Sequence, residues 1–149
     1  MNYQEREKTI DIMAERIVEL HRKYNRSTLI HCHSYGIADR LGEAIRDLDV
    51  RAMWVMPRER EQSIERWKAA EDACLMSVAC EEGLDLAGEK YPLNIIAKVP
   101  FLPYKSDEWT EKRKAADNLL PAERRWENVS VALAIQQAAG RCTRGPGDF

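Results

Sequence analysis

An α/β fold with a mostly parallel central sheet flanked by helices is predicted by three features of this sequence. Four short, mostly apolar runs, at residues 28–33, 50–56, 73–78 and 93–99, have the length and composition of buried strands. Helix-length segments around them favour crossover connections over an antiparallel sandwich. Ser34, Pro57 and Pro100 stand where one kind of element gives way to the next.

Taken in order, residues 5–24 place Ile10, Met13, Ile17 and Leu20 at spacings of three and four, one apolar stripe with Glu15, Arg16 and Glu19 toward water. His21 then reads as an exposed helix residue. After Asn25-Arg26-Ser27, the run 28–33 reads as a strand. Ser34 follows and can cap the next helix by accepting an orphan first-turn N–H. That helix starts near Tyr35, with Ile37, Ala38, Leu41, Ala44, Ile45 and Leu48 inward. The second strand is stopped by Pro57, and residues 58–70 form a charged helix whose Ile64 and Trp67 reach the core. Two more strands follow, the last halted by Pro100. Residues 109–120 are a helix ended by Pro121. A longer helix over 122–144 has a seam of Val131, Ile135, Ala138 and Cys142, and Gly145-Pro146-Gly147 stops it.

The 149 residues suit one domain, with an N-terminal helix and linker over 1–27 and a core over 28–149. A chain of this length buries roughly 68–70% of its unfolded surface and needs no disulfide or metal staple. Hydrophobic residues at 44% and charged residues at 32% favour order over disorder. With 23 basic and 25 acidic side chains, bulk charge does not announce nucleic-acid binding, but a local basic face needs only a few arginines. Cys32, Cys74, Cys80 and Cys142 form no CxxC pair; three of them sit in apolar surroundings and read as small buried thiols, in keeping with a reducing compartment. The charged amino terminus does not read as a signal peptide. No run approaches the roughly eighteen apolar residues of a membrane span. A cytoplasmic protein with no membrane partner is expected.

Two constellations carry chemistry. In Gln137-Ala138-Ala139-Gly140-Arg141-Cys142-Thr143-Arg144, residues 137, 141 and 144 share a helical face, and Gly140 removes bulk beside them. Two guanidinium forks on one ridge suit phosphate oxygens. A solvated helix end, with arginines favoured by the dipole, explains the same residues. Ser77-Val78-Ala79-Cys80-Glu81-Glu82-Gly83-Leu84-Asp85-Leu86-Ala87-Gly88 follows a strand, where βα loops of open sheets collect ligands. Ser77 can donate to phosphate, Gly83 permits a tight path, and Asp85 can hold Arg141 or a ribose hydroxyl. An ordinary Gly/Asp turn explains these equally. Ser34 and Tyr35 open the first βα loop. His31 and His33 face one side but lack a third metal ligand. No GxxxxGK[ST] loop and no convincing magnesium-holding acid motif are found.

In sum these motifs resemble the second RecA-like motor domain of superfamily 2 DNA helicases, the XPD/Rad3 and DinG-like group. The segment from Gln137 to Arg144 looks like that group's QxxGRxxR motif, continued by Gly145-Pro146-Gly147-Asp148-Phe149. Ser77 to Gly88 resembles its EGxDxxG motif, Ile96 to Pro103 its strand and PF-P segment, and Leu29 to Tyr35 its strand-plus-SY motif. The resemblance covers residues 28–149 and implies a RecA-like three-layer domain.

It also implies roles. Arg141 and Arg144 would be arginine fingers toward the γ-phosphate of ATP, and Gln137 would position nucleotide or water. Asp85, Gly83 and Gly140 would couple to the nucleotide, while Ser34, Tyr35 and Ser77 would face single-stranded DNA. ATP and Mg2+ would act only in combination with a separate Walker-motif RecA-like domain, in the same parent protein or another chain. That first motor domain is absent from this sequence, as are the family's cluster cysteines, so no iron–sulfur cluster is expected. The chain alone is expected to be inactive. Split product, remnant and excised domain all stay open. A non-catalytic DNA- or helicase-binding regulatory protein that keeps the fold is the alternative.

Overall fold

Strands covered on both faces must be apolar at every position, whereas helices need only one apolar stripe. The computed structural model describes residues 3–70, 72–78, 93–99, 106–117 and 126–139. In chain order these form α1 (Tyr3–Tyr24), β1 (Thr28–His31), α2 (Tyr35–Asp47), β2 (Ala52–Trp54) and α3 (Arg60–Ala69). Then come β3 (Cys74–Ser77), β4 (Leu93–Ile96), α4 (Asp107–Asp117) and α5 (Trp126–Ala139). The strands pair in the order β2-β3-β1-β4, every neighbouring pair parallel, in a RecA-like three-layer architecture.

Alternation along the strands divides the core in two. Ile30, Cys32, Ala52, Cys74 and Met76 pack with Ile10, Ala14, Ile17 and Val18 of α1 and with Ala38, Leu41 and Ile45 of α2. Leu29 and Leu75 turn the other way, onto Ile64 and Trp67 of α3. The Trp67 indole also donates to the Ala73 carbonyl at 2.9 Å, closing the turn into β3. Each fully buried Leu or Ile contributes roughly 1.5–3 kcal/mol. Exposed pairs such as Lys114–Glu111 contribute at most about 1 kcal/mol. The two apolar layers therefore dominate stability.

The structure corrects three details. The buried face of α1 is rotated toward Ala14 and Val18, with Met13 and Leu20 only partly covered. His21 is not exposed: it is buried, its Nδ1 lying 2.8 Å from Thr28 Oγ1 and its Nε2 2.6 Å from Asp72 Oδ1. A polar ring is tolerated there because both nitrogens have partners, and it ties the end of α1 to the start of β1. Ser34 does occupy the N-cap of α2, with extended backbone, but makes no side-chain cap hydrogen bond.

Of the expected final seam, Val131 and Ala138 are buried, Ile135 is half-buried, and Val129 and Leu133 on the same helix are exposed. Asn94 of β4 donates from Nδ2 to the Ala138 carbonyl at 2.7 Å and anchors α5. Residues 122–125 and 140–144 of the expected helix lie outside the described residues.

Candidate functional site

Parallel strands all end at one edge, so the loops that follow them collect there. β1 and β3 are neighbours in register, His31 opposite Ser77, and the Cys32 N–H donates to the Ser77 carbonyl at 2.7 Å. On the other side of β1, the N–H groups of Ala97 and Lys98 reach the His31 carbonyl at 3.0 and 3.4 Å. Three chain segments thus meet at the end of the central strand.

Between β1 and α2 the chain turns through His33, which holds φ at 47°. This left-handed conformation is uncommon outside glycine, though histidine adopts it more readily than most residues. It ends the strand at His31 and swings Ser34 and Tyr35 outward. Although His33 is not in the strand, its ring stacks on His31, with centroids 6.1 Å apart. His31 itself is buried.

The sequence-derived site residues fall into separate groups. Ser34 is half-buried and Tyr35 is 59% exposed, at the first turn of α2. Ser77 lies beside them but beneath the surface: it is buried, and its Oγ has no hydrogen-bond partner among the described residues. Gln137 is exposed on α5, one residue before the Ala138 carbonyl that Asn94 holds, and so belongs to the β4 side. Gly83, Asp85, Gly140, Arg141 and Arg144 lie outside the described residues.

Reasoning from sequence missed Lys98, an exposed cation whose backbone bonds to His31 at this same edge. A lysine just past a strand is an unremarkable signal. Only the β1–β4 pairing shows that it shares the edge with Tyr35. Cys32, also at the edge, is no nucleophile: burial pushes its thiol from 9.0 up to about 12. Cys74 is raised to about 12 for the same reason. Among the described residues no three His, Cys, Asp or Glu side chains are placed to hold a metal ion.

Residues 17–149, most of the sequence and all of the sheet, match the family described as the helicase C-terminal domain. The chain belongs to that family. This helicase C-terminal domain is 27% identical, over 99% of its length, to the "Regulator of telomere elongation helicase 1 homolog" of Drosophila virilis. It is 29% identical over 66% of its length to the homolog from Drosophila ananassae. It spans only 17% and 12% of the lengths of those relatives. A solved structure named "XPD_APO" superposes with a TM-score of 0.63 at 16% identity, covering 87% of this chain and 28% of that one. That likeness is one of fold. By that likeness the helicase C-terminal domain is RecA-like and close in fold to the XPD-type structure. Among the described residues, no helix is long and apolar enough to cross a membrane.

Proposed function

We propose that this helicase C-terminal domain is the second motor half of an ATP-dependent DNA helicase. The observation that carries the reading is the common edge at β1, where Tyr35 and Lys98 are exposed, Ser34 is half-buried and the buried Ser77 ends the neighbouring strand. Such an edge offers an aromatic face, hydroxyls and a cation to a single strand of DNA. Stacking and phosphate contact together give binding that tolerates any sequence.

In this reading Ser34 and Tyr35 meet the DNA backbone, and Ser77 is the donor that a phosphate drawn into the edge would find. Gln137 would lead into the arginine motif. Arg141 and Arg144 would project toward ATP held by a separate Walker-motif domain and meet the charge that develops as the γ-phosphate leaves. Gly140 would let the two surfaces approach. Gly83 and Asp85 would link the nucleotide to the DNA edge, so that closing the cleft shifts one DNA surface against the other. Mg2+ would be held by the partner domain with the nucleotide.

The test of the DNA edge is photocrosslinking of the purified chain to a bromouridine-substituted oligothymidylate. Adducts should map to the segment around Tyr35 and Lys98. Tyr35→Ala should weaken binding roughly tenfold, the value of one stacked base. Affinity should also fall as salt rises. Adducts confined to other elements, with Tyr35→Ala binding as well as the parent, would remove the assignment.

A further inference from the structure

The edge of the sheet formed by β2 plays no part in this scheme, yet it is chemically prepared. Among the described residues β2 pairs only with β3. The Cys74 N–H donates to the Arg51 carbonyl at 2.8 Å, and the Val55 N–H to the Met76 carbonyl at 3.0 Å. Since alternate residues of a strand direct their main-chain groups to opposite sides, Ala52 and Trp54 present theirs away from β3. Unpaired groups of this kind are a template for another strand.

A groove of about 450 Å³ runs along this edge, lined by Arg46, Arg51 and Arg66 together with Trp54 and Met56. None of its lining residues is acidic. The nearest carboxylate pairing is Glu59, 3.7 Å from Arg66, an exposed contact of little strength. Such a lining favours an anionic occupant. The arginines alone would suit a phosphate backbone as well as carboxylates, but the Trp54 ring offers no free stacking platform, being engaged by the Arg46 guanidinium, 4.2 Å from its centroid, and by Gly42. What the groove offers instead is main-chain pairing between positive side chains, which a peptide can use and a nucleic acid cannot.

We infer that the β2 edge is a docking site for an extended acidic segment of a partner polypeptide, which adds a strand beside Ala52 and Trp54. Arg51 and Arg66 read its carboxylates, and the exposed Met56 receives its apolar side chains. Arg46 also donates to the Ala52 carbonyl at 3.4 Å, which blunts the edge until a strand of complementary charge arrives.

The experiment uses the full chain and a fluorescein-labelled peptide of alternating glutamate and valine. Its lysine analogue, an N-methylated version and an oligothymidylate serve as further probes. Fluorescence anisotropy and amide hydrogen exchange are read together. The glutamate peptide should bind and slow exchange at the Ala52 and Trp54 amides, while the lysine and N-methylated peptides should do neither. Arg51→Glu and Arg66→Glu change exposed side chains and should each weaken binding roughly tenfold. Absence of binding, binding without protection of those two amides, indifference to both charge reversals, or protection of the same amides by the oligothymidylate would each overturn the inference.

Discussion

Gly42 lies on the buried face of α2 directly against the Trp54 ring. A Cβ built there would stand 2.9 Å from Trp54 Cε2 and closer still to Cζ2, a separation real methyl groups do not tolerate. The ring is not free to swing aside, because Arg46 packs over it. Gly42→Ala therefore sets two effects against each other. Overpacking costs about 1–3 kcal/mol. Replacing a helical glycine by alanine returns about 1 kcal/mol. The net expectation is a loss of up to about 2 kcal/mol, seen as a fall in Tm of up to about 8 °C for a chain of this size. Removing the ring should invert the sign: in a Trp54→Ala background, Gly42→Ala should stabilise by about 1 kcal/mol. Urea unfolding of the four proteins completes the cycle. An equal cost with and without the ring, or a gain in the parent chain, would refute the packing argument.

The buried His21 and its partner are tested in the same assay. Asp72→Ala leaves the buried His21 Nε2 without its partner and should cost about 1–3 kcal/mol although Asp72 itself is exposed, and His21→Ala should cost about 2–3 kcal/mol. The thiols give a pH prediction. Because burial raises Cys32 and Cys74 from 9.0 to about 12, the folded state keeps protons that the unfolded state releases. Their contribution to stability is intact below pH 9 and is lost as pH rises toward 12, by about 1.4 kcal/mol per pH unit for each thiol. Denaturant midpoints measured across that range should fall, and Cys32→Ser with Cys74→Ser should flatten the slope. Both thiols should resist iodoacetamide near pH 8 until the chain is unfolded.

The strands were legible because β1 and β3 are covered on both faces and so read as unbroken apolar runs. The sheet's parallel character followed from the helix-length segments around them. What sequence could not show was decided by pairing across long separations. His21 carries ordinary helix neighbours, and only its meeting with Thr28 and Asp72 buries it. The turn at His33 escapes composition because no glycine or asparagine marks it. Strand ends were read too long, as in 50–56 against Ala52–Trp54, since apolar residues continue past the last paired one. Of the candidate site, the grouping of Ser34, Tyr35 and Ser77 at strand ends could be read from motif order. Lys98 could not, because its nearness to His31 depends on β4 lying beside β1.

The motor reading assigns the ATP step to the guanidinium groups of Arg141 and Arg144, acting on ATP bound by another domain. Steady-state ATP hydrolysis by a phosphate-loop motor domain of the same helicase type, with and without this chain, measures that directly. The account predicts no turnover by this chain alone, stimulation on mixing, and loss of the stimulation in Arg141→Ala and in Arg144→Ala. Stimulation that survives both substitutions would contradict it.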